Sequence, residues 1–300
     1  MEGLQLRRRI FFSHRDLDWI LDMYEAGRRF VLYTDWILDM YEAGRRFVLY
    51  TGRGPSGPVH IGHLIPWIFT KHLQDVFGAK LYFQMTDDEK FLINPEFTLE
   101  KSNRIAYENA LDVIAVGFDP KKTFIIMDSE RGGILYKIAV QVAKRITFST
   151  VKAVFGLEES SNIGIIFFPA IQAVPCFIES VITGENTPCL IPAAIDQDPY
   201  WRVTRDVAPK LGYYKPAQIH CKFLPGLGKG GNPIYYYYYY LFEEEDSKIK
   251  ELEEACRNGD ILCGECKIRL AERIKRFLTE HQKRREEAKD HIEEYLFREP

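Results

Sequence analysis

Short apolar runs alternate with amphipathic segments from residue 47 to residue 223, and this alternation limits the possible folds more than any other feature. The predicted strands are 47–51, 80–85, 123–127, 189–195 and 217–223. The predicted helices between them are 63–77, 99–116, 133–146, 148–155, 171–182 and 198–211. Strands that alternate with helices favour βαβ units and a parallel sheet. The predicted fold class is therefore α/β, and such a sheet binds ligands at the carboxyl ends of its strands.

The composition changes towards the C-terminus, and this change predicts a second domain. Residues 47–232 carry the alternating pattern and are predicted to form a Rossmann-like catalytic domain. Residues 243–300 contain 17 Asp or Glu and 13 Lys or Arg, with apolar residues at helical spacing. We therefore predict an all-helical, shortened C-terminal domain at 241–300.

The N-terminal segment, residues 1–51, contains a perfect tandem repeat. The sequence DWILDMYEAGRRFVLYT occupies 18–34 and again 35–51. Natural repeat arrays diverge and need three or more units, so two identical copies indicate a recent duplication or a constructed sequence. Only the second copy continues into the glycine-rich loop described next. Function is therefore assigned to the second copy, and the first is interpreted as an insertion.

A glycine-rich loop follows the predicted strand of the second copy. Residues 50–63 read YTGRGPSGPVHIGH, and a helix is predicted to begin near His63. Glycines let a backbone approach a ligand closely, and the start of a helix offers free N–H groups to an anion. His60 and His63 add hydrogen-bond donors at the same place. This arrangement predicts a phosphate site.

Composition and cysteine usage exclude several other classes of protein. The net charge of −3 excludes a strongly basic nucleic-acid coat. All six cysteines lie after residue 175, so a disulfide framework is not expected and a reducing compartment is favoured. Cys263 and Cys266 form one C-x-x-C, for which a structural role is favoured over zinc or redox chemistry. With no long apolar run and no apolar leader, we expect a cytoplasmic protein without a membrane span or a dedicated metal site.

Several long segments together resemble the class I aminoacyl-tRNA synthetases. The similarity is closest to the tryptophanyl-tRNA synthetases of the eukaryotic and archaeal cytoplasmic type. It is carried by LYTGRGPS (49–56), HIGHLIP (60–66), FTKHLQDVFG (69–78), QMTDDEK (84–90), FPAIQA (168–173), CLIPAAIDQDPY (189–200), TRDVAPKLGY (204–213) and TEHQKRREEAKDHIEEYL (279–296). The resemblance implies ATP-dependent activation of L-tryptophan to tryptophanyl-adenylate, followed by transfer to tRNA(Trp).

The resemblance also implies roles for individual residues. The implied ATP-binding positions are Thr51, Gly52, Arg53, His60, Gly62, His63, Asp196 and Lys229. Those expected to be catalytic are His60, His63, Lys229 and Arg53. The implied tryptophan-binding positions are Tyr50, Gln84, Glu89, Gln172 and Gln197. Tyr50 and Gln84 are expected to accept a hydrogen bond from the indole N–H, because a pocket that selects tryptophan needs a buried acceptor there. Mg²⁺ is expected on the ATP phosphates.

The second signature of the class, a loop like Lys-Met-Ser-Ala-Ser, is incomplete. It should follow FLPGL at 223–227, but GKGGNPI follows instead and retains only Lys229. By resemblance, the segment that joins this loop to the helical domain is missing as well. Loss of one charge-stabilising donor costs about 10²–10³ in rate. We therefore predict impaired activation and weak charging of tRNA.

Six consecutive tyrosines, Tyr235–Tyr240, stand where that joining segment should lie. Uncharged, β-prone aromatic residues are typical of aggregation-prone segments. Because the run stands in place of the joining segment, it is interpreted as a replacement that bridges a deletion.

The resemblance implies macromolecular partners too. Basic residues of the helical domain are candidates for tRNA phosphates, although a solvated helix face explains them as well; they are Lys275, Arg276, Lys283, Arg284 and Arg285. A homodimer is implied, and the apolar segment 163–182 is a candidate for its interface.

Two other functions stay open from the sequence. The chain could be a non-catalytic homologue that binds tryptophan or ATP without turnover. It could also be a tyrosine-specific ligase of the same subclass, although QMTDDEK and AIDQDPY argue against this.

Overall fold

A computed structural model describes most of the chain. The described residues are Arg8, 11–13, 35–130, 132–221 and 233–299. Lys229 and the first copy of the repeat lie outside them.

The core of the described structure is one sheet of six strands. The strands are β1 (Phe11–Ser13), β2 (Val48–Arg53), β3 (Lys80–Met85), β4 (Thr123–Met127), β5 (Cys189–Ala194) and β6 (Ala217–Cys221). Their order is β1-β6-β5-β2-β3-β4, and neighbours are parallel except for β1, which is antiparallel to β6. The predicted α/β class with a parallel sheet is confirmed. The strand order reverses between β2 and β5, which is where ligands of such sheets bind.

Helices cover both faces of the sheet. They are α1 (Asp35–Glu42), α2 (Ile61–Phe77), α3 (Asp87–Ile93), α4 (Leu99–Ala115), α5 (Gly133–Ala143), α6 (Phe148–Phe155), α7 (Ile163–Gln172), α8 (Ile178–Thr183) and α9 (Asp198–Val207). The helices that follow β6 in the chain are α10 (Pro233–Tyr237), α11 (Asp246–Asn258), α12 (Cys263–Ala288) and α13 (Ile292–Tyr295). Helix α10 continues as a π-helical turn at Tyr238–Phe242.

The predicted single helix at 171–182 is wrong. The structure has α7, a 3₁₀ turn at Val174–Cys176 and then α8 in its place. Helix α7 begins earlier because Asn162 caps it, with its side-chain oxygen 2.9 Å from the backbone nitrogen of Ile165. Pro175 has no N–H to continue an α-helix, and its place in the 3₁₀ turn separates the two helices.

The C-terminal helices pack on the sheet domain through α4. His281 of α12 is 3.0 Å from Asp112 of α4, and both side chains are mostly buried. The end of the chain then returns to the sheet, where the backbone nitrogen of Phe297 donates to the carbonyl of Ile125 at 2.7 Å. Tyr295 is buried, and its hydroxyl donates to the carbonyl of Phe118 at 3.0 Å. The helical segment and the sheet therefore share one apolar core.

The tyrosine run is not extended, although its residues are β-prone. Tyr235–Tyr240 is helical, and Tyr237, Tyr238 and Tyr240 are buried. Rings four residues apart stack along the helix, with centroids 5.6 Å apart for Tyr235–Tyr239. A helix can bury these rings on two sides at once, against the sheet core and against α11 and α12.

Arginines hold the end of this tyrosine helix. Arg8 donates to the carbonyl of Tyr239 at 2.6 Å, and Arg273 donates to the carbonyl of Phe242. Cations at the carboxyl end of a helix satisfy its last carbonyls and oppose its dipole.

Candidate active site

A cavity of about 520 Å³ opens at the carboxyl ends of β2 and β5, where the strand order reverses. All the described residues that the sequence predicts for ATP and tryptophan line it. They are Tyr50, Thr51, Gly52, Arg53, His60, Gly62, His63, Gln84, Glu89, Gln172, Asp196 and Gln197. Residues from five separate predicted motifs therefore meet in one place.

One end of the cavity is buried and densely hydrogen-bonded. Tyr50 and Gln84 are each 1% exposed. The Tyr50 hydroxyl donates to Oε1 of Gln84 and lies 2.8 Å from the carbonyl oxygen of Gln172. Burial, together with nearby Cys176 and Asp128, raises the pKa of Tyr50 well above its ordinary value, so the hydroxyl stays protonated. Its single hydrogen is directed at acceptors, and its lone pairs stay free for a donor.

Asp128 lies beside this pair and was missed by the sequence reasoning. Its two carboxylate oxygens are 3.0 and 2.9 Å from Nε2 of Gln84. Burial and the neighbouring Asp88 raise the pKa of Asp128 well above its ordinary value, while the Gln84 hydrogen bond lowers it. A carboxylate directly after strand β4, at the carboxyl edge of the sheet, is the signal that could have found it.

Gln172 has an acceptor without a partner. Its Oε1 is buried and makes no hydrogen bond within the described part of the chain, while its Nε2 donates to Gln197 at 3.3 Å. A buried carbonyl oxygen without a donor is costly, so this atom is suited to the ammonium group of a ligand. Gln197 in turn donates to Asp196 at 3.3 Å.

Glu89 supplies a carboxylate at the same cavity. Its Oε2 accepts from the hydroxyl of Thr86 at 2.9 Å and lies 2.9 Å from Nζ of Lys90. Lys90 also lines the cavity and was not predicted.

The glycine-rich loop forms the other, more open end. Gly52 lies against strand β3, where a Cβ would be 2.8 Å from the backbone oxygen of Gln84. A Cβ on Gly54 would be 2.2 Å from Cε of Lys90, so the loop backbone and this cation are in close contact. Gly52 is therefore required by packing, whatever it also contributes to a nucleotide site.

The two histidines stack on one another at the start of α2. Their ring centroids are 3.5 Å apart, and Nδ1 of His63 accepts from the backbone nitrogen of His60 at 3.1 Å. Burial, Arg53 and His60 lower the pKa of His63 to about 4. His63 is thus neutral near pH 7 with its proton on Nε2. Gly62 leaves the space that the His60 ring occupies, since a Cβ there would be 3.1 Å from Cε1 of His60.

Arg53 is held from behind by Asn109 of helix α4. The Arg53 Nε donates to Oδ1 of Asn109 at 3.3 Å, and Nδ2 of Asn109 donates to the carbonyl of Gly57 at 3.1 Å. Asn109 is buried, so it connects the guanidinium to the glycine-rich loop from inside the protein. Burial lowers the pKa of Arg53. A single Asn within a helix carries no sequence signal for this role.

Thr51 has a structural partner as well as a place in the cavity. Its hydroxyl donates to the carbonyl of Pro192 at 3.0 Å and thereby joins β2 to β5.

The basic residues predicted for tRNA lie on α12 and fall into two groups. Lys275, Arg276, Lys283 and Arg284 are exposed. Arg285 instead makes ion pairs with Glu108 and Asp112 of α4. Burial lowers the pKa of Arg285, but hydrogen bonds and charge attraction from these two carboxylates raise it by more. The pKa of Arg285 is therefore raised.

In the part of the chain that the structure describes, no helix is long and apolar enough to cross a membrane.

Comparison with known proteins identifies the class first. The family described as "tRNA synthetases class I (W and Y)" matches residues 42–232. The Plasmodium falciparum tryptophanyl-tRNA synthetase structure aligns with a TM-score of 0.88 at 36% identity, covering 99% of this chain and 88% of that one. A structure from Encephalitozoon cuniculi bound to tryptophan aligns with a TM-score of 0.83 at 32% identity, covering 98% and 91%. The fold is that of a class I tRNA synthetase.

Sequence relatives narrow the class. The proteins named tryptophan–tRNA ligase from Thermococcus sibiricus and Pyrococcus abyssi are each 46% identical over 343 positions, which cover 98% of this chain and 83% of each relative. This chain belongs to the tryptophan–tRNA ligase family. Since 343 aligned positions exceed the chain's 300 residues, these relatives carry residues that have no counterpart here.

Proposed function

We propose that this protein activates L-tryptophan with ATP and transfers it to tRNA(Trp), and that it acts in the cytoplasm. The observation that carries the proposal is the cavity at the β2–β5 switch, which is lined by all twelve described residues predicted for the two substrates. The tyrosine-specific alternative is not favoured, since the sequence relatives reported above are named tryptophan–tRNA ligases.

The buried end of the cavity is suited to the amino acid. The indole N–H is a single donor, and Tyr50 and Gln84 present acceptors at the buried end of the cavity. Gln172 offers its partnerless oxygen to the ammonium group. Phenylalanine has no donor for these acceptors, and a site that loses such a bond discriminates strongly.

The open end is suited to the triphosphate. Two cations from the described residues line the cavity, Arg53 and Lys90, and both lie at the glycine-rich loop. The neutral His63 uses Nδ1 as an acceptor and carries its proton on Nε2, which can donate to a phosphate oxygen. These donors are fixed before the substrate arrives, which is how preorganised electrostatics stabilises a developing charge.

Catalysis at such a site is mainly positioning. The tryptophan carboxylate attacks the α-phosphorus of ATP, pyrophosphate leaves, and the adenylate then acylates the ribose of the tRNA. Holding both reactants in one cavity converts the first step into an effectively unimolecular one. Arg53 is the cation that Asn109 holds in place from behind.

Mg²⁺ is proposed as a companion of ATP. Within the described residues, no group of three His, Cys, Asp or Glu side chains could hold a metal ion, and the cavity carboxylates there are Glu89 and Asp196. This fits an ion held largely by phosphates and water. When bound it would neutralise phosphate charge.

Turnover is proposed to be slow, because the sequence lacks the Met-Ser-x-Ser part of the second signature. This is the specific observation that keeps a binding-only homologue as a second candidate. Labelled tryptophan, ATP and pyrophosphatase distinguish the two. We expect tryptophanyl-adenylate to form, at least about 10²-fold more slowly than in a relative with the complete signature. Tight tryptophan binding with no adenylate would favour the second candidate, and adenylate formed at the relative's rate would refute the impairment.

For tRNA, we propose that the exposed cations of α12 contact phosphates. These are Lys275, Arg276, Lys283 and Arg284. Arg285 is better explained by its ion pairs with α4, so we assign it to the packing of the helical segment. Charging of tRNA is expected to be weak. Full charging in a filter assay would contradict this.

We propose that two copies associate through the face formed by α5 to α8. These helices expose large apolar side chains, namely Tyr136, Val140, Phe148, Ile163 and Val181. Ile163 is 84% exposed, the highest value among them. Sedimentation should show a dimer that Ile163→Glu dissociates, while Ile268→Glu, at a site on α12 that is 63% exposed, should not.

A further inference from the structure

We propose that Asp128 determines side-chain specificity, by fixing the orientation of the Gln84 amide so that the pocket presents only acceptors to the ring of the amino acid. Asp128 is a positioning residue in this account, since it acts through Gln84. The inference rests on the proposed function, because it concerns how the same cavity selects tryptophan.

The backbone of Asp128 is fixed by the sheet. It follows strand β4 directly, and its backbone nitrogen donates to the carbonyl of Met85 at 3.2 Å. Gln84 precedes Met85 in β3, where it pairs with Ile126. The position of the carboxylate beside Gln84 is therefore set by the sheet.

The second step is the choice between the two orientations of the amide. In the observed one, Nε2 of Gln84 faces both oxygens of Asp128, and the carbonyl of Ile171 at 3.4 Å. The carbonyl of Ile171 can only accept hydrogen bonds, and so can both oxygens of Asp128 in its ionised form, which the hydrogen bond from Gln84 favours against the effect of burial. Rotating the amide by half a turn would place Oε1 against these acceptors and leave them without a donor. Asp128 therefore selects the observed orientation.

The third step runs from Gln84 to Tyr50. With Nε2 held by Asp128, Oε1 faces the Tyr50 hydroxyl and accepts its hydrogen. The remaining lone pairs on Oε1 and on the hydroxyl oxygen can then only accept. An indole N–H meets this requirement, while a ring of the same shape without an N–H leaves the acceptors unpaired.

The test compares two ligands that differ in that one group. Titration calorimetry measures the Kd of L-tryptophan and of 3-benzothienyl-L-alanine, in which sulfur replaces the indole N–H. Asp128→Asn keeps the shape of the side chain but adds N–H donors, so either amide orientation becomes possible. We expect the preference of the unmodified protein for tryptophan to fall by about tenfold or more, a change of about 1.4 kcal/mol. Affinity for the benzothienyl analogue should change little.

Glu130→Gln is the matched control. It removes the same charge two residues away, where the side chain contacts Asn103 and Tyr107 and does not touch Gln84. Its preference for tryptophan should equal that of the unmodified protein. Equal losses for both ligands in Asp128→Asn would show a merely structural role and overturn the inference, as would an unchanged preference.

A double-mutant cycle tests the route of action. In a Gln84→Met background, Asp128→Asn should have no further effect on the preference, because the amide that Asp128 orients is gone. A further loss of similar size would contradict action through Gln84. If the unmodified protein binds neither ligand, the proposed function itself fails; if it binds tryptophan and the cycle is additive, only the role of Asp128 fails.

Discussion

The two ends of the cavity are built in opposite ways. At the amino-acid end, Tyr50, Gln84 and Asp128 form a buried chain of hydrogen bonds that leaves acceptors of one kind. At the phosphate end, His60 and His63 stand at an open helix start, and Asn109 holds the glycine-rich loop from behind. A selective pocket needs buried polar groups that are costly to leave unpaired. A reacting phosphate instead needs accessible donors, because pyrophosphate must bind to them and then dissociate. Substitutions at the two ends should therefore change different measurements.

The largest effect is expected at the open end. His63→Ala removes a cavity-lining donor proposed to contact the phosphates, so the rate of activation should fall by about 10²–10³ with little change in tryptophan affinity. Steady-state kinetics and calorimetry measure the two quantities. His72→Ala, on the same helix α2 but outside the cavity lining, is the control and should leave both unchanged. Equal losses of activation rate and of tryptophan affinity would contradict the separate roles of the two ends of the cavity.

The next effect belongs to the buried end. Gln84→Leu leaves the buried Asp128 and Tyr50 without their shared partner, so tryptophan affinity should fall by about 100-fold. Gln74→Leu is the matched control, since Gln74 is also buried but bonds to Thr123 and Asp119, away from the cavity. That variant should lose stability and keep its affinity. A tryptophan Kd that Gln84→Leu leaves unchanged would refute the assignment of the buried end.

A smaller effect is expected where the ends meet, at Gly52. An added Cβ would be 2.8 Å from the backbone oxygen of Gln84, so Gly52→Ala should lower the free energy of unfolding by about 1–3 kcal/mol. Gly57→Ala, in the same loop, meets nothing within 4 Å and serves as the control. Denaturant titration measures both. Equal stability of the two variants would mean that the close approach of β2 and β3 is unimportant.

Asn109 offers a way to weaken the open end alone. Asn109→Leu removes the hydrogen bonds to Arg53 and Gly57, and the KM for ATP should rise by about tenfold while the tryptophan Kd stays constant. Asn109→Asp keeps an acceptor for Arg53 and should recover part of the loss. A change in tryptophan affinity instead would show that the two ends are coupled through β2.

The smallest effect is a pH dependence of stability. The pKa of His63 is lowered from 6.5 to about 4, so between these values the unfolded chain binds a proton that the folded protein does not. Stability from this group is therefore lost as the pH falls from 6.5 towards 4. The His63→Gln variant lacks this titrating group. As the pH falls from 6.5 towards 4, its melting temperature should therefore rise relative to that of the unmodified protein. A constant difference would show that His63 titrates normally.

The sequence predicted which residues line the cavity. It did not predict the hydrogen bonds between them. Strand ends and a glycine-rich loop are local signals, and they brought the described tryptophan and ATP positions to one cavity. The bonds among Tyr50, Gln84 and Asp128 join three strands or loops far apart in the chain, so no local pattern encodes them. Asn109 lies within a helix, where nothing distinguishes it from a surface residue.

The errors in the fold have the same origin. The helix predicted at 171–182 followed apolar content, whereas the cap at Asn162 and the turn at Pro175 set the real boundaries. The tyrosine run was assessed by β-propensity and charge. Burial against the sheet core on one side and against α11 and α12 on the other decided its conformation instead, which is a tertiary effect that propensity does not contain.

The most direct test of the central claim is exchange of labelled pyrophosphate into ATP, measured separately with tryptophan and with tyrosine. If the buried end selects the indole N–H and the open end holds the phosphates, label should enter ATP with tryptophan, slowly, and not with tyrosine. The absence of tryptophan-dependent exchange, or equal exchange with tyrosine, would contradict the account.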